Sequence, residues 1–449
     1  MRIPFSDYFS DGLLEIVRGS SIVFSLKVAG AGLAFVFNIV LARLLGADGT
    51  GAYFLALTVL TVGSIIGRFG LDNVLVRRSA TGADQENWSE VLGVHRTGMG
   101  IALLLAAATG TTIFFLSPWI AERGFGNIEL SAPIAYMGLA VVPLVLSRLY
   151  SQLLKGLGHL VAFSLIQKQG ILIPGVSIAA TYVLCGEFGW GVEGAVFAFI
   201  GAASVATVAG GYFWKRAVPA RTSSESTQVT SLLRPASSLF GVEALGFMRE
   251  QASILLLGIW ATEAEVGIYG TAMRVSLLTA FILVAVNSVV SPRIAALYEK
   301  RDMEELDRVS RNAVKICTVL ATPPLLVFVI APEFVLSLFG HEFTTGAVPL
   351  IVLAVAQFIN VSTGPVGYLL IMTGRESIMR NVDALATTVG LVLYVTLIPQ
   401  YGVLGAALAY GFAISTRYFV AALMVHRTLD IALFGPMEVV NDVLGRMRA

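Results

Sequence analysis

The sequence predicts an all-α polytopic membrane protein with about twelve transmembrane helices, and two observations lead to this fold class. First, 56% of its 449 residues are hydrophobic and only 13% are charged, whereas a soluble domain carries about 25% charged residues. Second, apolar stretches of about 20 residues, long enough to cross a ~30 Å hydrocarbon layer as helices, recur along the whole chain. This composition excludes a water-soluble globular protein.

The amino-terminal segment differs from the rest of the chain. Residues 1–20 mix acids with apolar side chains and lack a small-residue cleavage site after a continuous apolar core. They therefore predict an amphipathic cytoplasmic segment at the membrane surface rather than a signal peptide. The apolar stretches that follow predict twelve approximate spans: 21–42, 50–70, 94–116, 132–153, 161–184, 192–214, 236–259, 266–290, 314–331, 347–369, 378–398 and 403–424.

The distribution of basic residues predicts the orientation. If the amino terminus is cytoplasmic, 24 of the 30 Lys and Arg residues lie in inner segments or at inner helix ends, and only Arg43 and Arg123 lie in outer segments. Membrane proteins concentrate Lys and Arg on the cytoplasmic side, so both termini are expected there. The other four basic residues lie within spans: Lys27, Arg249, Arg274 and Arg417.

An internal repeat divides the chain into two similar halves. An offset of 216 residues aligns Gly51 with Gly267 and Tyr53 with Tyr269. The same offset aligns "LLKGLGH" with "LLIMTGR", and an offset of 211 aligns "GWGVEGAVFAF" with "PQYGVLGAALAY". These matches predict two parallel-repeat six-helix bundles around a central cavity. The predicted parts are the segment 1–20, an amino-terminal bundle 21–216, a cytoplasmic linker 217–234, a carboxy-terminal bundle 235–425 and a cytoplasmic tail 426–449.

Four stretches carry a family resemblance: "LARLLGADGTGAYFLAL", "FGLDNVLVRRSA", "NSVVSPRIAALYEKRDMEELDRVSR" and "LFGHEFTTGAVPLIVLA". With them the chain resembles the polysaccharide-transporter family, the O-antigen and exopolysaccharide flippases of the multidrug/oligosaccharidyl-lipid/polysaccharide exporter superfamily. The resemblance implies a flippase that moves a polyprenyl-pyrophosphate-linked oligosaccharide across a bacterial plasma membrane by alternating access. It also implies contact with membrane lipid, and with a polysaccharide polymerase and glycosyltransferases as partners.

Motifs for catalysis are missing from the sequence. There is no Walker A sequence and no HExxH, and the four histidines are scattered, so ATP hydrolysis and metal catalysis have no sequence support. The longest predicted outer segments, 117–131 and 332–346, are short for an outer-face enzyme. We therefore expect no enzyme activity, no cofactor, no metal site and no nucleic-acid partner, and we expect a monomer.

Arginines within spans are the main candidates for substrate binding. A charge at a helix centre costs about 2.5–3.5 kcal/mol on insertion scales, so it usually faces a partner or a water-filled cavity. Arg249 and Arg274 lie at similar predicted depths on neighbouring helices and are expected to bind the pyrophosphate, because planar guanidinium donors bind phosphate oxygens in pairs. The alternative is structural: Arg274 would pair with Glu250, and Arg249 with Glu243 or another acid.

The remaining ionisable residues within spans have two interpretations each. Lys27 would contact an entering phosphate or extend its amine to the headgroups. Arg417 would bind substrate or form a salt bridge with Asp383. Glu243, Glu250 and Asp383 would take part in ion coupling or balance the arginines.

Residues at the ends of spans complete the predictions. Asp72 and Arg148 are expected to be interfacial anchors or gate contacts, and Gln357 and Asn360 to bond between helices. Three other functions stay open: an ion-coupled multidrug exporter, in which acids should dominate the cavity, a non-transporting scaffold for polysaccharide assembly, and a membrane enzyme.

Overall fold

The computed structural model describes residues 11–167, 170–219 and 228–431, and in these ranges it contains helices and no β-strand. Short 3-10 or π turns extend several of the helices. The α-helices are α1 (Asp11–Arg68), α2 (Leu71–Asp84), α3 (Trp88–Trp119), α4 (Ser131–Gly156), α5 (Leu160–Ile166), α6 (Leu172–Thr181), α7 (Gly191–Ala217), α8 (Val229–Trp260), α9 (Glu263–Ser276), α10 (Ala280–Glu299), α11 (Met303–Ile330), α12 (Pro332–Ser337), α13 (Ala347–Ser362), α14 (Val366–Met372) and α15 (Glu376–Leu429).

The helices account for the twelve predicted spans. Eight helical stretches in the described ranges are long and apolar enough to cross a membrane. Two of them, α1 and α15, contain two predicted spans each, because Gly46 (φ 66°) and Gly402 (φ 52°) interrupt the helix at positive φ, where glycine alone is unstrained. The shorter apolar helix Leu172–Glu187 and α8 match the other two spans, and three charges interrupt the apolar part of α8. The predicted fold class is confirmed.

Some predicted spans are not continuous helices. Span five consists of α5 and α6, and span eight of α9 and α10 joined by a 3-10 turn. Span ten is broken between α13 and α14, where Gly364 has a φ of 68° and Pro365 precedes the first residue of α14. Proline has no amide hydrogen to continue a helix, which explains the break.

The first of two compact units comprises residues 1–267. Small residues allow close helix contact in it: a Cβ at Gly110 of α3 would lie 2.6 Å from the carbonyl oxygen of Gly138 of α4, as is typical of membrane helices. The helix α8 lies along the second span of α1. At one end Phe240 stacks on Phe69, with ring centroids 5.1 Å apart, and at the other Gly258 leaves no room for a Cβ beside Leu55.

The second compact unit comprises residues 268–449. Its core contains Ile294 of α10, Leu306 of α11, Leu370 of α14 and Val425 of α15. Beside this core, Arg375 donates from Nη1 to the Tyr298 hydroxyl at 3.2 Å and from Nη2 to the Thr428 carbonyl oxygen at 3.1 Å. These two bonds tie the start of α15 to the end of α10 and to the end of α15 itself.

The predicted domain limits stay a prediction. The units place α8 with the amino-terminal helices, whereas the repeat assigns it to the second bundle. The helices α7, which ends at Ala217, and α8, which begins at Val229, each include part of the predicted linker 217–234. Residues 1–10, 220–227 and 432–449 of the predicted amino-terminal segment, linker and tail lie outside the described residues.

Candidate functional site

Four charged side chains of the first unit come together where α1, α2, α4 and α8 meet. We call this group the Arg68 cluster; it consists of Arg68, Asp72, Arg148 and Glu243. Arg68 forms an ion pair with Asp72, and its Nη1 lies 3.3 Å from Glu243 Oε2. Arg148 Nε lies 3.3 Å from Asp72 Oδ2. The two arginines and two acids balance each other in charge.

Local backbone geometry assembles this cluster. The helix α1 ends at Arg68, and Phe69 (φ 46°) and Gly70 (φ 75°) turn the chain so that α2 begins at Leu71. A Cβ at Gly70 would meet the carbonyl oxygen of Ala236, so only glycine lets α8 approach this closely. The turn sets Arg68 and Asp72 side by side, and the approach of α8 brings Glu243 to them.

Burial makes the interactions of Arg68 and Asp72 strong. Both side chains are about 4% exposed, Glu243 is 17% exposed and Arg148 is 45% exposed. Arg68 also donates from Nε to the Ser64 carbonyl oxygen at 3.1 Å. Breaking such a buried pair leaves a charge without compensation, which is more costly than losing an exposed pair. The cluster therefore fixes α8 to the end of α1.

Asp72 is buried, and Arg68 was not singled out in the sequence. Asp72 was expected to be an interfacial anchor or a gate contact, and its role stays a prediction; the structure pairs it with Arg68 and Arg148. Arg68 counted only among the inner basic residues. A usable signal was present in the sequence: an Arg and an Asp four residues apart directly after an apolar span, together with an acid inside the span of α8.

The charges within α8 follow two pairings. Glu243 belongs to the Arg68 cluster, and Arg249 Nη2 lies 3.7 Å from Glu250 Oε1. Arg249 is 31% exposed and Glu250 is 68% exposed. Arg249 thus has an acid beside it, as the structural alternative requires. Its role in binding pyrophosphate stays a prediction.

The other predicted substrate residues lie on different helices. Arg274 of α9 is half-buried and donates from Nη1 to the Gly270 carbonyl oxygen at 2.9 Å. Lys27 of α1 is also half-buried. Arg249 and Arg274 belong to different compact units, so their combination in one site stays a prediction.

The predicted salt bridge of the second unit is present. Arg417 Nε lies 2.6 Å from Asp383 Oδ1, and both residues are on α15, in its two different spans. Arg417 also donates from Nη1 to the Tyr418 hydroxyl at 2.6 Å. The pair holds the two spans of α15 together, and the roles of Arg417 in binding and of Asp383 in coupling stay predictions.

Of the two uncharged polar residues, Gln357 bonds between helices as predicted, whereas the bond of Asn360 lies within α13. Gln357 of α13 is fully buried and donates from Nε2 to the Tyr410 hydroxyl of α15 at 2.9 Å. Asn360 donates from Nδ2 to Gln357 Oε1 at 2.8 Å. Among the described residues, no group of three or more His, Cys, Asp or Glu side chains is arranged to hold a metal ion.

Comparisons with known proteins agree with this architecture. A family model described as polysaccharide biosynthesis protein matches residues 40–348. A probable low-salt glycan biosynthesis flippase of Haloferax volcanii, Agl15, is 24% identical over 420 residues, which cover 90% of this chain and 82% of that protein.

Two solved transporter structures resemble the fold over most of the chain. The lipid II flippase MurJ in an inward closed conformation has a TM-score of 0.75 at 12% identity, covering 92% of this chain and 90% of that one. An inward-facing multidrug resistance MATE family transporter of the MOP superfamily has a TM-score of 0.73 at 17% identity, covering 92% of this chain and 98% of that one. At these identities the likeness is one of fold.

Proposed function

Because this chain belongs to the family of polysaccharide biosynthesis proteins, as its motifs predicted, we propose that it is a flippase for a polyprenyl-pyrophosphate-linked oligosaccharide. It moves this substrate from the inner to the outer leaflet of a bacterial plasma membrane by alternating access, for the synthesis of a surface polysaccharide such as O-antigen or exopolysaccharide. Both termini are cytoplasmic. The chain acts as a transporter rather than an enzyme, as a monomer, beside glycosyltransferases and a polysaccharide polymerase.

Arginine inside membrane-spanning helices is the observation that carries this proposal. Arg249 and Arg274 are only partly exposed within α8 and α9, and a charge at such a depth normally faces a partner or water. A pyrophosphate is a partner of the right chemistry, since two guanidinium donors bind two phosphate oxygens. The similarity to the Haloferax relative, a probable glycan biosynthesis flippase, supports the same substrate class.

Other charges have secondary roles in the proposed cycle. Lys27 and Arg417 offer further positive charge to the phosphates. Asp383 balances Arg417, with 2.6 Å between Oδ1 and Nε. Glu243 or Glu250 takes part in coupling if an ion drives the cycle, because an acid exchanges a proton when its surroundings alternate between wet and dry.

Substitution of the two arginines tests the proposal. Arg249→Ala and Arg274→Ala should each lower surface polysaccharide at least tenfold at unchanged protein level in the membrane. Lysine should rescue only partly, because it keeps the charge and loses the planar paired donors. Arg311→Ala is the matched control, since Arg311 forms an exposed ion pair with Asp307 on α11. Normal polysaccharide from both well-expressed alanine variants would contradict the pyrophosphate role.

The same strains separate the alternatives. A multidrug exporter, which the fold of the MATE transporter also fits, predicts drug sensitivity on deletion of the chain and unchanged polysaccharide. A scaffold predicts loss of polysaccharide on deletion but not in the arginine variants. For coupling, full transport by the Glu243→Gln, Glu250→Gln double variant at every pH tested would remove both acids from that role.

A further inference from the structure

Two glycines that the sequence repeat aligns are in contact with each other in the structure. Gly51 of α1 and Gly267 of α9 lie so close that neither has room for a side chain. A Cβ at Gly51 would meet the carbonyl oxygen of Glu263 and lie 2.9 Å from Gly267 N, and a Cβ at Gly267 would meet the carbonyl oxygen of Ala47 and lie 3.0 Å from Gly51 N. We call this contact the glycine crossing.

The glycine crossing is symmetric. Gly51 faces Glu263, and Gly267 faces Ala47; the residues within each aligned pair, 51 with 267 and 47 with 263, are 216 positions apart. Each segment therefore presents the same surface to the other, which is the property of a contact on a two-fold axis.

The surroundings of the crossing are buried and closely packed. Thr50 is fully buried, as are Tyr53 and its aligned partner Tyr269. The crossing follows the interruption of α1 at Gly46 and the turn between α8 and α9, which the basic-residue distribution assigns to the outer face. A side chain from a predicted outer segment bonds beside the crossing: Asn127 donates from Nδ2 to Glu263 Oε1 at 2.9 Å.

We propose that the glycine crossing is the outer closure of the transport pathway, which separates when the substrate leaves toward the outer leaflet. Direct contact between backbones suits this role, because it closes the pathway without a side chain that must lose its water. Because the contact is symmetric, both repeats contribute the same surface to the closure. The inference rests on the proposed flippase function and on alternating access. It assigns Gly51 and Gly267 a conformational role rather than contact with substrate.

A cysteine reporter beside the crossing tests this role. Thr50→Cys is nearly isosteric and buried at the crossing, and the two native free thiols are removed by Cys185→Ser and Cys317→Ala. A membrane-impermeant maleimide is added to intact cells. Gly51→Ala or Gly267→Ala should raise the labelling rate of this reporter about tenfold, because one Cβ prevents closure at a cost comparable to overpacking.

Two further variants sharpen the result. Gly32→Ala is the matched control, because it lies on the same helix and a Cβ there meets nothing within 4 Å; it should leave the labelling rate unchanged. The Gly51→Ala, Gly267→Ala double variant should label no faster than either single variant, since one Cβ already separates the segments. Additive labelling rates would contradict the symmetric contact.

The outcomes decide the proposal even if a glycine variant fails to fold. With native glycines, the Thr50→Cys reporter must become labelled from outside during active export, because the crossing opens in each cycle. Complete protection in cells that export normally, or equal labelling of the parent and the well-inserted Gly51→Ala protein, overturns the proposal. Failure of the flippase function itself is visible separately, as unchanged surface polysaccharide after deletion of the chain.

Discussion

Replacing Arg68 with methionine should destabilise the first unit by about 3–5 kcal/mol, the range for removing one partner of a buried ion pair. The burial of Arg68 supports a loss of stability typical of a buried ion pair rather than of an exposed one. The Arg68 side chain is about 4% exposed, and its loss leaves the acids Asp72 and Glu243 with only Arg148, which is 45% exposed and therefore partly screened by water. Methionine fills much of the volume, so the effect reports charge rather than a cavity.

A compensating substitution isolates this cause. Glu243→Gln added to Arg68→Met leaves one acid, Asp72, opposite one arginine, Arg148, and so restores the charge balance. The double variant should recover at least half of the lost free energy of unfolding. The matched control is Arg311→Met, because the pair of Arg311 with Asp307 is 44% and 31% exposed; exposed pairs contribute about 0.2–1 kcal/mol.

The measurement is the free energy of unfolding in mixed detergent micelles with increasing dodecyl sulfate, followed by tryptophan fluorescence for all variants in parallel. A loss below about 1 kcal/mol for Arg68→Met would place it with the exposed control. Equal losses in the single and double variants would also refute the reasoning, since they would show that volume or helix contacts, not unpaired charge, set the stability of this region.

Three further results are expected. Arg417→Met should cost roughly 1.5–3 kcal/mol through the lost bond to Asp383, and the double variant Asp383→Asn, Arg417→Met should cost less than the single one, measured by the same unfolding assay. Tyr410→Phe should cost about 1–3 kcal/mol, because it leaves the Nε2 donor of the fully buried Gln357 without its acceptor. A reporter fused after Met437 should be active only as a cytoplasmic fusion; a signal from outside would reverse the predicted orientation.

The fold class was predictable because hydrophobicity and length decide it. Lipid satisfies no backbone hydrogen bond, so long apolar stretches must be helices. The breaks inside spans were harder to predict. Gly364 and Pro365 both lie in an apolar run, and only the backbone shows that α13 ends before them. Glycine is frequent in membrane helices, so the sequence does not distinguish a glycine at a break within a span, such as Gly364, from one that packs in a helix, such as Gly110.

The individual charges were predictable as unusual, but their partners were not. Glu243 stood out as an acid in an apolar run, and hydropathy gives no partner for it. The partner is Arg68, 175 positions earlier in the sequence, and the contact exists because a Gly70 without Cβ admits α8. In contrast, Asp383 and Arg417 lie at similar depths of consecutive spans, so the hairpin geometry alone predicts their salt bridge.

The two ends of the repeat differ in how far they keep its symmetry. At the predicted outer end, the aligned glycines form one contact from both sides. The Arg68 cluster has no such counterpart: the residues aligned with Arg68, Asp72, Arg148 and Glu243 are Val284, Ser288, Gly364 and Lys27. The helix α10 forms with the uncharged Val284 and Ser288 at the positions aligned with Arg68 and Asp72, so this helix of the repeat does not need the two charges to form. The charges of the cluster are explained instead by what is particular to the first unit, the acid that α8 brings to the end of α1, which a buried arginine must balance.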